Sequence, residues 1–370
     1  MLRLCVLALV VCAAPVLASE RVSCVHAQLA LLGFEAGQDN GTIHAELREA
    51  ARGFYRDRGA EGGFALPFND RNAGQWCRRL GLTDATFQAA WPSRAAVRIY
   101  TDPIAADEKR GLLSAAIGET RKFYREQFDV SLASSFALVA TDDLAQLDTL
   151  VARALSERGA RARKKPFAVE RICQGRKVGA AANRDFIAMC WRKPDAYGAV
   201  WQAEITPVLT KVLVHEYMHQ VQYELANDNP ARRLADKSDW VLGPSWMVEG
   251  SAEVIEAAYA NRLSDDTEGQ RLFNMQSSAR KARVLLSDLN KTGSVRGGPA
   301  YGTARFAAFV LAERYGVQSL FDYFEALGDT GDRDAAFAQV FKLTRAQFEA
   351  DFETLRRDFG AARDYIDRGN

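Results

Sequence analysis

Histidine is scarce in this chain, with four in 370 residues, at positions 26, 44, 215 and 219. Any chemistry that needs imidazole is therefore confined to few places. An excess of either charge is also missing: 48 Lys+Arg face 47 Asp+Glu, a formal charge of +1. Nothing in the bulk electrostatics favours nucleic acid or an anionic membrane as the main partner. Beyond the first twenty residues no segment reaches the roughly 18 uninterrupted apolar residues that a membrane helix requires. No two cysteines have the close Cys-x-x-Cys spacing of a zinc ribbon. What is present, 48% hydrophobic and 26% charged residues, is ordinary globular composition. It excludes disorder, collagen and long coiled coil, and it suffices for two cores.

Met1, Leu2 and Arg3 precede an apolar run from Leu4 to Ala18, broken only by Pro15, and polar Ser19-Glu20-Arg21 follow. This pattern predicts a signal peptide over residues 1–18, cleaved after Ala18, and an exported, periplasmic or extracellular protein. Bulky Val11 before Cys12 argues against a lipid anchor there. Cys5 and Cys12 leave with the leader, so Cys24, Cys77, Cys173 and Cys190 remain. An even count in an exported chain suggests two disulfides. Of the three connectivities, proximity favours Cys24 with Cys77 and Cys173 with Cys190; free buried thiols are the alternative.

Residues 19–92 form the first expected domain. Apolar positions step helically from Val22, pass a turn cluster at Gly33–Gly41, and resume through Leu47, Ala50, Ala51 and Phe54. Leu29, Leu32, Gly33-Phe34, Gly37, Asn40-Gly41, Ala50, Phe54 and Gly59 stand in register with the three-helix peptidoglycan-binding domain, which this segment resembles over about forty residues. It departs from that pattern at His44, Leu47 and Tyr55. The resemblance implies peptidoglycan as a partner; a helical spacer is the alternative. His26 and His44 read as surface or core residues. A boundary is expected near Trp91-Pro92-Ser93.

In residues 93–370, strands are expected at 95–100, 135–140 and 185–191 and helices at 105–128 and 144–160, with helices dominating after Thr206. Strands followed by helices predict an α+β domain. Thr206 reads as an N-cap and Pro207 as the first residue of a helix running to about Leu225. That helix contains His215-Glu216-Tyr217-Met218-His219. Two histidines four apart share one helix face and can meet one metal ion, and Glu216 can take a proton from water on it. Gln222 and Leu225 occupy the offsets where a further downstream His ligand would stand, so the third ligand is a carboxylate or lies upstream. The best downstream carboxylate is Glu249, on a helix opened by Gly243-Pro244-Ser245; Glu253 and Asp239 are the alternatives. Glu253, one turn on, can accept a hydrogen bond from a ligand imidazole.

His215-Glu216-x-x-His219 together with Trp246-x-x-Glu249-Gly250-x-Ala252-Glu253 resembles the gluzincin metallopeptidases, especially the peptidase MA-like group and the bacterial collagenases. The resemblance implies a zincin-like domain with Zn²⁺ held by His215, His219 and Glu249, and Glu216 as general base. It further implies that Tyr301, in Gly298-Pro299-Ala300-Tyr301-Gly302, donates to the oxyanion. Segments 319–327, 334–341 and 344–357 resemble the family's closing helical bundle. The expected activity is hydrolysis of protein or peptide substrates. A metallopeptidase specific for wall peptides and a non-catalytic envelope-binding protein on the same fold are the alternatives. Arg158, Arg161, Arg163, Lys164 and Lys165, with Arg171, Arg176 and Lys177, read as a solvated basic loop, with contact to anionic envelope polymers as the functional alternative.

Overall fold

The computed structural model describes residues 14–56, 68–69, 72–80, 97–130, 132, 135–157, 173, 177–226, 242–261 and 268–368. Contacts divide the chain into two units, Met1–Arg94 and Ala95–Asn370.

The first unit holds α1 (Ala14–Leu31), α2 (Ala45–Phe54) and α3 (Ala73–Leu80). Val22, Val25 and Leu29 from α1, Leu47, Ala51 and Phe54 from α2, and Trp76 from α3 share one core. Cys24 and Cys77 tie α1 to α3 at a Cα separation of 5.5 Å. The histidines here do local work: the His44 ring caps α2 by accepting from the Leu47 N–H, and His26 pairs with the Gly37 carbonyl at 2.8 Å. Most of the expected leader and the expected boundary at 91–93 lie outside the described residues, and α1 begins before the expected cleavage point.

The second unit is α+β with a small mixed sheet, in the order β1-β2-β4-β3. β1 (Val97–Tyr100), β2 (Phe136–Thr141) and β4 (Phe186–Trp191) run parallel, and β3 (Val178–Ala182) lies antiparallel on the edge, with Ala180 opposite Met189. β2 and β4 are buried along their whole length, as their uninterrupted apolar runs require in a sheet covered on both faces. Leu138, Ala140, Ile187 and Met189 face α4 (Ala106–Phe128) and α6 (Ala199–Leu225), while Ala137, Val139 and Ala188 face α5 (Leu144–Glu157). The strand at Val178–Ala182 was not expected from sequence. Cys173 and Cys190, 5.9 Å apart at Cα, join the segment before β3 to β4.

The long helix departs from expectation at its start. It begins at Ala199, not at Thr206, and Pro207 lies inside it. Ile205 is buried and the Trp201 ring lies tilted against Trp191 at a centroid distance of 6.1 Å, so packing carries the helix through the proline. Pro207 is exposed, and the Thr206 hydroxyl, rather than capping a terminus, donates back to the Gln202 carbonyl. One N–H is lost on the wet face, where the freed carbonyl can be hydrated.

Helices α7 (Ser245–Asn261), α8 (Glu268–Arg280), α9 (Gly297–Tyr315), α10 (Gln318–Thr330), α11 (Arg333–Phe341), α12 (Arg345–Leu355) and α13 (Phe359–Asp367) complete the unit. Trp246, at the head of α7, is fully buried between Phe337 and Phe348, and its indole N–H donates to Asn290 and Glu349. The closing helices thereby fix the start of α7.

At the carboxyl ends of β1 and β2, fully buried Lys109 bonds Asp102 at 2.8 Å and Asp142 at 2.6 Å. Burial pushes the Asp102 carboxyl up, but the Lys109 ammonium and the Thr141 hydroxyl more than offset it and hold it below the usual range. Lys109→Met leaves two buried carboxylates without their cation and is expected to cost about 3–5 kcal/mol at pH 7. Stability from a depressed carboxyl is present above its unfolded pKa and is lost as pH falls through the folded one. The gap between wild type and variant should therefore narrow below about pH 4 in denaturant titrations.

Candidate metal centre

α6 lies beneath β3 and carries both histidines on one face. Tyr124 of α4 donates to the Val214 carbonyl at 2.8 Å, immediately before His215. Gln220 donates to the Asn183 carbonyl in the β3–β4 turn. α7 packs antiparallel across this face, and Gly250 permits the approach of α9 behind it: a Cβ there would collide with the Ala304 carbonyl. Gly250→Ala is expected to force α7 and α9 apart, at a cost of about 1–3 kcal/mol, and to displace neighbouring Glu249. A lowered Tm together with weakened metal binding would report both effects.

The structure brings the expected ligands together. One atom each of His215, His219 and Glu249 lie within 4.8 Å of one another. Glu249 Oε2 stands 3.5 Å from His215 Nε2 and 3.8 Å from His219 Nε2. Donors held tetrahedrally at zinc distances are about 3.4 Å apart, so this buried set fits such an ion with little adjustment.

Neighbouring hydrogen bonds engage Nδ1 of both rings. Gln222 gives its amide hydrogens to the Val248 carbonyl and the Ser251 hydroxyl, both at 2.8 Å, so its oxygen is an acceptor for His219 Nδ1 at 2.9 Å. His219 therefore donates from Nδ1 and keeps the Nε2 lone pair. On His215, Nδ1 meets Glu256 Oε2 at 3.0 Å. This corrects the expectation for Glu253, whose oxygen is 3.9 Å from the same nitrogen and which faces Arg305 at 3.7 Å. Glu256 lies seven residues after Glu249, two helical turns along the same face, and Lys211 neutralises its other oxygen at 3.0 Å.

Burial works against a proton on His215, but its hydrogen bonds with Glu249 and Glu256 prevail and raise its pKa well above the usual value. Burial and the His215 charge lower that of His219 against the pull of Glu249. Burial would raise Glu249, yet the His219 charge and the hydrogen bonds with His215 and Tyr301 hold it below the usual carboxylate range. Tyr301, half-buried in the second turn of α9, thus reaches the Glu249 carboxylate. Burial pushes the Glu216 carboxyl up to about 7, opposed by the His215 charge and helped by Glu249 and Glu256. One of its oxygens accepts from the Ala182 N–H of β3. Its Oε2, fully enclosed, has no hydrogen-bond partner among the described residues.

Asp239, the other alternative ligand, and all of the basic run except Lys177 lie outside the described residues. No described helix is long and apolar enough to cross a membrane, and two disulfide-distance cysteine pairs fit an exported protein. No family model, curated protein or solved structure matches the chain.

Proposed function

We propose that the chain is an exported zinc metallopeptidase. The observation that carries this reading is the convergence of His215 Nε2, His219 Nε2 and Glu249 Oε2 on one buried point, with a carboxylate oxygen of Glu216 on the same helix turn that has no partner among the described residues. Zinc held there would supply a Lewis acid that acidifies water and polarises a carbonyl. Glu216 accepts the proton of the attacking water and returns it to the leaving amine, a role suited to a buried carboxyl titrating near neutrality. Gln222 and Glu256 engage Nδ1 of the two imidazoles and so direct each Nε2 toward the Glu249 carboxylate. Tyr301 donates from beside Glu249 to the developing oxyanion. β3 is an edge strand ending at the Ala182–Glu216 bond, so an extended peptide added to its outer side is led to the base.

The test is hydrolysis of an unfolded protein and of purified cell wall by zinc-loaded mature protein, with and without chelator. Chelator-sensitive cleavage of the unfolded protein supports the general peptidase. Cleavage of wall alone narrows the substrate to wall peptides, in line with the resemblance of the first unit. Wall binding without cleavage of either substrate contradicts the enzymatic reading.

A further inference from the structure

Lys211, His215 and His219 follow one another at four-residue spacing along one stripe of α6, and Glu249, Glu253 and Glu256 form the facing stripe of α7. Because the helices run antiparallel, His219 meets Glu249 and Lys211 meets Glu256, with His215 between them. α9 adds a third stripe: Tyr301 hydrogen-bonds Glu249, and Arg305, one turn on, stands 3.7 Å from Glu253. Lys211 has no task in the proposed reaction, yet it sits one turn before a metal ligand.

Two carboxylates compete here for one ring atom. Nδ1 of His215 takes a single partner in the ring plane. Glu256 Oε2 holds that place at 3.0 Å, while Glu253 Oε1 stands at 3.9 Å, outside hydrogen-bond distance. Both residues line a cavity of about 210 Å³ together with Lys211 and Arg305, so their side chains have room to turn. The cations sort them. Lys211 Nζ closes on Glu256 Oε1 at 3.0 Å and leaves Oε2 aimed at the ring; a carboxylate held at both oxygens cannot turn without breaking one bond. Arg305 draws Glu253 the other way, toward α9, and is itself anchored by donating to the Ser278 hydroxyl at 3.3 Å.

We propose that Lys211 is a positioning residue of the zinc site, selecting Glu256 over Glu253 as the partner of His215 Nδ1 and thereby fixing the ring that presents Nε2 to the metal. The inference rests on the zinc reading but on no step of the peptide chemistry. Without the ammonium, Glu256 loses one of its two anchors and its neutralising charge, while the two carboxylates still repel each other. The ring is then shared between a loosened Glu256 and Glu253. Its Nε2 no longer holds one direction, and zinc binds less tightly. Glu253, a bystander while Lys211 is present, becomes a partner once Lys211 is gone.

The experiment measures the zinc dissociation constant of full mature protein by competition with a chromogenic chelator, with the Tm of each zinc-free variant as the check on folding. Lys211→Met is expected to weaken zinc about tenfold, and Lys211→Arg, which keeps the cation, to bind as the wild type does. A double-mutant cycle gives the more specific readout. Glu253→Gln alone should change affinity little, but in the Lys211→Met background it should cost a further factor of about three or more, because only there does Glu253 engage Nδ1. A merely structural Lys211 gives additive effects. Wild-type affinity in Lys211→Met, an Arg variant as weak as the Met one, or additive Lys211 and Glu253 effects overturn the proposal while the zinc site stands. Wild-type protein that takes up no zinc overturns the zinc reading and this inference together.

Discussion

Replacing Glu216 by Gln is expected to lower turnover by a factor of about 10²–10⁴ while leaving zinc content at the wild-type level. The amide keeps the size of the side chain and its hydrogen-bonding oxygen toward Ala182, but it cannot take a proton from water. No donor among the described residues occupies the Glu216 Oε2. Because Glu216 is not among the three converging ligand atoms, loss of metal is not expected. Full activity in the variant would remove Glu216 from the role of base; loss of zinc would make it a structural part of the metal centre. Steady-state kinetics and elemental analysis on the same preparation separate these results.

Glu249→Ala is expected to weaken zinc binding by more than about 100-fold, beyond the effect typical of groups that merely orient a ligand. It removes the oxygen that faces both Nε2 atoms, at 3.5 and 3.8 Å, and leaves two imidazoles as the donors of that set among the described residues. It also removes the Tyr301 hydroxyl's hydrogen bond with that carboxylate. Glu253→Gln is the paired control. Its carboxylate faces His215 Nδ1, not Nε2, and Arg305, so zinc should be nearly fully retained. The opposite pattern, with Glu253 essential and Glu249 dispensable, would relocate the third ligand.

Local spacing made part of this centre legible. His215 and His219, four residues apart on a helix, share a face, and the short apolar runs of β2 and β4 read as strands and are buried ones. What escaped was non-local. Gln222 occupies an offset where a further ligand was sought, and its use became visible only when α7 brought the Val248 carbonyl and Ser251 to its amide. Glu256 displaced Glu253 as the partner of His215 because the crossing of α6 and α7, not the sequence spacing, decides which turn meets Nδ1. β3 reads Val-Gly-Ala-Ala-Ala, with neither β-branched alternation nor aromatic residues, and owes its form to pairing with β4. Thr206-Pro207 has the chemistry of a helix start, but burial of Ile205 and the Trp201–Trp191 contact favoured continuation. At His44 the reverse holds: a residue unusual for the resembled pattern serves as the cap of α2.

The central claim is that three side chains from two helices form one zinc site, and zinc per chain tests it most directly. Elemental analysis of mature protein purified without chelator is expected to give about one equivalent, falling sharply in Glu249→Ala. Protein that carries no zinc, and takes none up when folded and supplied with it, would contradict the account.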